Sequence, residues 1–433
     1  MRVSTDNPRS VDIYETALRA LNTYRGDPVA IIDTALHADP DFVMGHVFRA
    51  YVHLTMWEKS IVARIEESLA RLADLDNRSN DRERGHVRAL KQWVAGDWNG
   101  MRGQLDRLLA EYPRDLLALQ IGHLADFYHG DRDNLRGRAA RSLPAWSRDD
   151  PGYGIVLGMH AFGLEECGSY VLAEETGRHA LAIDANDCWA QHAIAHVMEM
   201  QARQAEGIAF MEARQEHWAQ ADNAFAFHNW WHTALYNLDQ DRFDRVLDIY
   251  DRRVRPEPSE IQLTMLDAAA LLWRLHLRGI DVGGRWDELA ATYEKTNEAG
   301  FYVFNDMHAM MAYAATGRSQ AAAALLRAVE TAAGDGGTNG LMAREVGLPI
   351  VRAIEAFGRM DYGRTVDLLM PVRYRAYVFG GSHAQRDVVH RTLIEAALRS
   401  GEKALAVALT NERTSLKPHC PFSWQLHERA VAA

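Results

Sequence analysis

The sequence predicts an all-α protein, an α-solenoid in which antiparallel helix pairs stack along the chain. Apolar residues recur at intervals of three and four, as in LDRLLAEY and LLWRLHL, whereas alternating strand-like runs are scarce. Turn-forming segments interrupt this helical pattern at 39–41, 96–98, 112–115, 148–152, 184–187 and 238–241. The intervening segments have room for helices of roughly 12–18 residues, a length suited to helical hairpins.

The predicted helix pairs recur at regular intervals. After one incomplete pair, we place their starts near residues 40, 80, 115, 152, 187, 224, 260, 301, 341 and 382. The period of roughly 35–41 residues is close to the 34 of a tetratricopeptide repeat. One helix pair cannot bury both of its apolar faces, so about ten pairs are expected to share one core in a right-handed superhelix. No Pro/Ser-rich linker interrupts residues 1–433, which predicts a single domain, with 332–340 as a long loop between repeats.

Composition excludes several classes of function. The 48 Lys and Arg against 59 Asp and Glu give a net charge of −11, and no basic run marks a nucleic-acid-binding surface. Cys167, Cys188 and Cys420 lie far apart, which argues against a disulfide framework or a cysteine zinc site. No signal peptide and no membrane-spanning apolar run is found. We therefore expect a cytoplasmic protein without nucleic-acid or membrane partners, and leave its oligomeric state open.

One histidine recurs in the first helix of consecutive pairs. The spacings are 40, 37, 37, 36 and 36 residues along the series His46, His86, His123, His160, His196 and His232. Asp267 takes the next position, and His308 and His383 continue the series. The first helices of tetratricopeptide repeats line the concave groove, so one residue per repeat is expected to face its axis. The candidate catalytic residues are therefore His160, His196, His232, Asp267 and His308.

Two of these helices carry a second histidine one turn earlier. His192 precedes His196, and His228 precedes His232, so each pair places both rings on one helix face, as in zinc-binding helices. Glu199 is a candidate oxygen ligand or general base. The alternative is that rings of equal size fill a crowded interior and hydrogen-bond neighbouring helices. Whether a metal or another cofactor binds stays open.

Further candidate ligand-binding residues surround this series: His123, Glu166, His192, Glu199, His228, Trp231, His383 and Asp387. Trp230 and Trp231 project about 100° apart on a helix, so one of them is expected to share the histidine face and the other to lie in the core. Of Glu165 and Glu166, one is expected to face the groove and the other solvent. In GGSHAQRD, Ser382 is the predicted helix cap, and Asp387 belongs either to the groove or to a surface ion pair.

Several segments resemble one family. They are YRGDPVAIIDTALHADPDF at 24–42, WAQHAIAHVMEM at 189–200, FHNWWHTALY at 227–236, LLWRLHLRG at 271–279, GGSHAQRDVV at 380–389 and ERTSLKPHCPFSW at 412–424. With these segments the chain resembles the tetratricopeptide repeat protein 38-like family from one end to the other. The resemblance implies the helical-repeat fold and little about function.

Two functions of different classes fit this pattern. The first is an enclosed His- and aromatic-lined groove that binds a small molecule, with His/carboxylate acid–base catalysis as an extension. The alternative is an open scaffold that binds a peptide or protein without catalysis. No P-loop, GxSxG elbow or HExxH motif is present, which disfavours the familiar hydrolases.

Overall fold

The computed structural model describes residues 3–433, and within this range the chain is helical with no β-strand. An isolated antiparallel bridge joins Arg25 to Asn223. The chain divides into two compact units. The first comprises residues up to Ile194 together with Glu216–Phe225, and the second comprises Ala195–Gln215 and Ala226–Ala433. No helix among residues 3–433 is both long and apolar enough to cross a membrane.

The first eleven helices form a series of hairpins. They are α1 Pro8–Thr23, α2 Pro28–Ala38, α3 Val43–Leu54, α4 Val62–Asp74, α5 Asp81–Val94, α6 Trp98–Glu111, α7 Leu116–Tyr128, α8 Arg132–Ser142, α9 Tyr153–Glu166, α10 Tyr170–Ile183 and α11 Cys188–Met200. Within the first unit, α1 packs on α2, α5 on α6 and α9 on α10. Each hairpin also contacts the next, for example α8 against α9, so the helix pairs share one core.

A repeated Gly-Asp motif connects helices in the first unit. It occurs at Gly26–Asp27, Gly96–Asp97 and Gly130–Asp131. Each glycine has a positive φ, of 70°, 76° and 60° respectively, which a residue without Cβ adopts without strain. Each aspartate then caps the following helix by accepting a backbone N–H three residues on, at 3.0, 2.8 and 3.0 Å. These starts are therefore encoded locally.

The remaining helices continue the alternation. They are α12 Gln204–Ala213, α13 Gln215–Trp218, α14 Ala226–Leu238, α15 Phe243–Ile249, α16 Gln262–Leu277, α17 Arg285–Tyr293, α18 Val303–Thr316, α19 Ser319–Gly334, α20 Thr338–Met342, α21 Leu348–Gly358, α22 Tyr362–Leu369, α23 His383–Arg399, α24 Lys403–Leu416 and α25 Pro421–Ala432. Two π-helical segments, Tyr250–Val254 and Ala343–Gly347, extend α15 and join α20 to α21. Within the second unit, α14 packs on α16, and α16 packs on both α18 and α23.

The predicted all-α repeat fold is confirmed. Helices begin within three residues of all ten predicted starts, from Val43 to His383. Two details differ. The pair before residue 40, predicted to be incomplete, is the complete hairpin α1 and α2. The predicted long loop at 332–340 shrinks to three residues, because the alanine-rich α19 continues to Gly334.

The first helix of a pair is more buried than the second. Nearly every residue of α16 is buried, whereas α10 buries only Ala173, Gly177, Ala180 and Leu181. A helix with neighbours on several sides must bury its polar residues together with its apolar ones. The histidines of the first helices therefore enter the protein interior, where each needs a polar partner or a neutral ring.

Candidate functional site

A cluster of ionisable side chains lies inside the second unit. His196 and Glu199 come from the last turns of α11, His228 and His232 from α14, and Asp267 from α16. We call these five residues the histidine–carboxylate cluster. His196, His232 and Asp267 are fully buried, while Glu199 and His228 are 5% and 8% exposed.

Two histidine–carboxylate pairs of the same kind form the centre of the cluster. His228 Nδ1 lies 2.7 Å from Asp267 Oδ2, and His232 Nδ1 lies 3.2 Å from Glu199 Oε2. A carboxylate can only accept a hydrogen bond, so in each pair Nδ1 carries the proton. In the neutral ring Nε2 then keeps its lone pair and can accept a proton, accept a hydrogen bond or bind a metal.

The rings of the cluster are in mutual contact. The His232 ring centroid lies 4.3 Å from that of His196 and 4.9 Å from that of His228. One ring nitrogen from each of the three lies within 4.8 Å of the others. Trp231, fully buried, stacks on His228 at an interplanar angle of 13°. Trp231 is thus the tryptophan on the histidine face, and Trp230 lies beneath the Arg253 guanidinium, 5.2 Å away.

Burial sets the charge of the cluster. It lowers the pKa of His196 well below the usual value, and the nearby charged forms of His232 and His228 lower it further. Burial also lowers the pKa of His232, although the bond to Glu199 opposes this. For Glu199, burial raises the pKa, but the bond from His232 and the charge of Lys417, 4.0 Å away, bring it below the usual value. Near neutral pH the cluster therefore combines neutral imidazoles at His196 and His232 with an ionised Glu199.

A second polar network lies in the same unit. Arg391 bridges two carboxylates, with Nη2 2.9 Å from Asp239 Oδ1 and Nε 2.5 Å from Asp387 Oδ2. Arg413 adds a 2.6 Å contact to Asp387. Burial raises the pKa of Asp387, but Arg413 and Arg391 lower it well below the usual value. Asp387 thus forms an ion pair, as one of its two predicted roles required, but the pair is largely buried and not at the surface.

The sequence did not single out Asp239, Arg391, Arg413 or Lys417. Arg391 and Arg413 lie among apolar residues of predicted helices, whereas Asp239 belongs to the predicted turn at 238–241. A charged residue in such a register can equally lie at the edge of an exposed face, so the pattern does not identify its partner. Arg391 and Asp239 are 152 positions apart, and only the packing of α23 brings them together.

The remaining second-unit candidates have local partners. His308 Nδ1 bonds to the Phe304 carbonyl at 2.8 Å, and burial lowers its pKa to about 4. His383 is not in mid-helix but is the first residue of α23, directly after the cap Ser382. The predicted cap is confirmed, because Ser382 and Gln385 exchange bonds of 3.2 and 3.0 Å in a capping box.

In the first unit, two candidate histidines lie among aromatic rings. His192 packs on Trp189, Phe162 and Phe225 at centroid distances of 5.0, 5.2 and 5.0 Å. His123 lies 5.6 Å from the Trp189 ring, and burial lowers its pKa to about 3. An aromatic environment of this kind favours neutral imidazole.

Other members of the series in the first unit differ from one another. His86 Nε2 lies 2.9 Å from Asp115, whereas His46 is half-buried and bonds to the Pro40 carbonyl at 2.8 Å. His160 is half-buried on α9. The repeat register therefore predicted the helix that carries each histidine but not its environment.

The expectation that either Glu165 or Glu166 faces solvent is wrong. They are 0% and 3% exposed, respectively. The last turn of α9 is covered on both sides, because α8 and α10 pack against this helix. Two adjacent helical residues can both be buried under these conditions.

A cleft in the first unit was not foreseen from the sequence. It has a volume of about 800 Å³ and is lined by apolar and charged side chains, among them Leu116, Trp146, Ile183, Arg19 and Arg114. These residues come from separate hairpins and share no motif, so no local pattern pointed to the cleft.

No protein-family model matches the chain. Among solved structures, the chain is similar to human IFIT1, solved as a dimer with PPP-AAAA, at 13% identity and a TM-score of 0.44, covering 97% of this chain and 94% of that one. It is similar to yeast Tom70 at 11% identity and a TM-score of 0.38, with 98% and 88% covered. It is also similar to the P58(IPK) TPR domain at 14% identity and a TM-score of 0.21, with 92% and 99% covered. At these values the similarities carry no argument about function, and the helix pairs of the chain itself define the helical-repeat fold.

Proposed function

We propose that this helical-repeat protein binds a small polar molecule at the histidine–carboxylate cluster of its second unit. The observation that carries the proposal is the pair of adjacent buried contacts, His228 to Asp267 and His232 to Glu199. Pockets for small polar ligands commonly combine apolar walls with a few converging polar groups. In this cluster Trp231 supplies an apolar wall, and the imidazoles supply the polar groups.

The energetics of folding support a role beyond packing. A helical repeat needs only apolar residues of suitable volume on its inner helices. Buried ionisable groups lose their hydration, and apolar replacements of similar size are often as stable or more stable. Five such groups within one cluster are therefore better explained by binding than by stability.

Acid–base chemistry is the second part of the proposal. Asp267 and Glu199 hold the rings of His228 and His232 in one tautomer, with Nε2 as the accepting nitrogen. A ligand hydroxyl or amine at Nε2 would give up its proton there, and the carboxylate would stabilise the resulting imidazolium. His196 completes the constellation, and His160 and His308 stay in the proposal as candidates from the repeat register.

Ligand binding can be tested by a thermal-shift screen of hydroxy acids, amino acids, sugars and aromatic acids, with each hit measured by calorimetry. Wild-type protein should bind at least one class, and His232→Gln should weaken that binding at least tenfold. His427→Gln, which changes a histidine of α25 outside the cluster, is the matched control and should bind like wild type. All measurements are made with and without a chelator. Absence of any hit, or equal binding by both variants, would contradict the proposal.

A second candidate function is peptide binding in the first-unit cleft. The cleft has apolar walls at Trp146, Leu116 and Ile183. Its charged lining is mixed, with Arg19 and Arg114 beside the acidic Glu15 and Asp184, so it is suited to a peptide that carries both signs of charge and apolar side chains. Fluorescence anisotropy with such peptides tests this function. Arg114→Gln and Trp146→Ala should weaken binding, whereas variants of the histidine–carboxylate cluster should not.

The finer family assignment and the location in the cell are also proposals. Membership of the tetratricopeptide repeat protein 38-like family is supported by two motifs. HNWWH contributes His228 and His232 to the cluster and Trp231 beside them, and GGSHAQRD contributes the cap Ser382. A cytoplasmic location is supported by three free cysteines, of which Cys188 and Cys420 are buried. Imaging of a tagged chain tests the location.

A further inference from the structure

We propose that His196, His228 and His232 form a binding site for one divalent transition-metal ion, with zinc as the best match. This inference rests on the proposed function, because it uses the same cluster and states how the site would hold its ligand. Its evidence is the geometry of the three rings and of the two carboxylates behind them.

The distances between ring nitrogens are suitable for a shared ion. One nitrogen from each ring lies within 4.8 Å of the others. A tetrahedral zinc with Zn–N bonds of about 2.1 Å requires its nitrogens to be about 3.4 Å apart. The rings would close this gap with small side-chain rotations. Neutral imidazole suits zinc, and three protein ligands leave a fourth position for a bound molecule.

The carboxylates occupy the positions expected behind metal-binding histidines. A histidine that binds a metal usually donates its other ring N–H to a carboxylate or carbonyl, which fixes the orientation of the ring. His228 donates to Asp267 in this way, and His232 donates to Glu199. In both rings Nδ1 therefore faces the carboxylate, and Nε2 is the ligand atom of the proposed site.

The two α14 histidines are also held in place by their own helix. Their spacing of four residues places both rings on one face, where their centroids are 4.9 Å apart. Trp231 stacks on His228 at 5.4 Å and contacts His232 edge-on at 5.0 Å. Such packing allows small adjustments of the rings but restricts changes of rotamer, so two of the three ligands would lose little conformational freedom on binding.

The charges around the cluster are compatible with a divalent cation. Asp267 and Glu199 bring two carboxylates to within hydrogen-bonding distance of the rings, and two cations lie nearby. Lys417 is 4.0 Å from Glu199, and the Arg274 guanidinium is 5.3 Å from the Trp231 ring. The carboxylates would offset part of the charge of a bound M²⁺, so the case for the ion rests on the geometry of the rings. With the ion bound, the ring nitrogens would coordinate the metal, and Glu199 would be the base that remains for proton transfer. The small molecules that fit the open coordination position are those with a carboxylate or hydroxyl oxygen.

Zinc titration of the full-length chain tests the inference. After chelator treatment and dialysis, zinc alone is titrated by calorimetry and the bound metal is counted by elemental analysis. We expect one zinc per chain, with affinity at least 100-fold lower in His228→Gln and in His232→Gln. Asp267→Asn, which changes only the residue behind His228, should lower the affinity about 10- to 100-fold. His427→Gln is the control and should bind like wild type.

Cobalt(II) provides a readout that does not depend on variants. Wild-type protein should give the intense visible absorption of a four- or five-coordinate site, and X-ray absorption should count three imidazoles around the ion. Failure of wild type to bind zinc or cobalt, or equal zinc affinity in wild type and His232→Gln, overturns the metal site. If wild-type protein also binds no small molecule of the thermal-shift screen in chelator-free buffer, the proposed function is overturned as well. Ligand binding that persists with chelator and without metal would overturn the metal site alone.

Discussion

His228 and Asp267 are 39 positions apart in the sequence, yet Nδ1 of the histidine lies 2.7 Å from Oδ2 of the aspartate. The contact joins α14 to α16, and its carboxylate is fully buried. A buried hydrogen bond between repeats makes a testable demand, because its acceptor must be present.

Two substitutions of Asp267 separate loss of the acceptor from loss of its charge. Asp267→Leu leaves the His228 N–H without an acceptor in the interior, which should lower the free energy of unfolding by about 1–3 kcal/mol. Asp267→Asn has a side chain of nearly the same size and keeps an acceptor oxygen, so its free energy of unfolding should fall clearly less. Urea unfolding in chelator measures both variants, so any metal contribution is absent. Equal losses in the two variants would show that the hydrogen bond is not the source of the effect.

Close packing of neighbouring repeats predicts a strong effect at Gly163 in α9. A Cβ at this position would lie 2.5 Å from Arg136 Cα and 2.6 Å from Arg136 N, and a backbone cannot rotate away as a side chain does. Gly163→Ala should therefore destabilise the protein by about 1–3 kcal/mol.

Gly103 in α6 is the matched control, because the nearest atom to its Cβ would be the mobile Nη1 of Arg107 at 4.0 Å. Gly103→Ala should stabilise the protein by up to about 1 kcal/mol through helix propensity. Thermal and urea unfolding measure both variants. A neutral Gly163→Ala would contradict the close approach of α8 and α9.

Asp306 predicts a pH-dependent difference in stability. It is 3% exposed and accepts the Gly300 N–H, and burial raises its pKa from 3.8 to about 8. The folded state then holds a proton that the unfolded chain releases, so this residue lowers stability as the pH rises from about 4 to about 8.

Asp306→Asn carries no titrating proton, so its stability relative to wild type should increase across that pH range. One pKa unit corresponds to about 1.4 kcal/mol, and we expect a relative gain of at least ~1–2 kcal/mol at pH 8 over pH 4. Denaturant unfolding at both pH values measures the gain. A difference between variant and wild type that does not change with pH would contradict the assigned protonation.

Removal of the chain from Leu341 onward should expose the interior of the second unit. Trp273 loses its 3.0 Å bond to Thr392, Arg274 its 2.6 Å bond to Ala384, and Tyr302 its 2.9 Å bond to Phe379. All three donors are buried, and terminal repeats shield the apolar faces of their neighbours. We expect aggregation by light scattering and increased binding of a hydrophobic dye.

Deletion of only 431–433, which are exposed, is the control and should leave the chain folded. If the long truncation stays monomeric and unfolds cooperatively, the helices before Leu341 do not depend on those after it. That result would also contradict the prediction that residues 1–433 form a single domain.

The positions of the helices could be predicted because their signals are local. At Asp27, Asp97 and Asp131 the capping carboxylate contacts a backbone N–H only three residues away, and the preceding glycine supplies the left-handed turn. The Ser382 capping box is equally local. The loop at 332–340 was predicted to be too long because its glycines suggested a break, although the alanines of α19 continue the helix to Gly334.

The partners of the histidines could not be predicted in the same way. The register placed His86, His232 and His308 on first helices, but their partners are Asp115, Glu199 and the Phe304 carbonyl. Two of these three partners lie on other helices, and small changes in helix packing would exchange one partner for another. The prediction that either Glu165 or Glu166 faces solvent was wrong for a related reason, because the burial of α9 depends on the helices on both of its sides.

The sequence by itself determined where the helices of this protein begin and which of them carry histidine, because capping and apolar periodicity act over three or four residues. The tertiary structure alone decided that His196, Glu199, His228, His232 and Asp267 converge within the second unit, and that Asp239 meets Arg391. These contacts span up to 152 positions. They form only when whole helices pack, since the energy that brings such side chains together is the burial of the apolar faces around them.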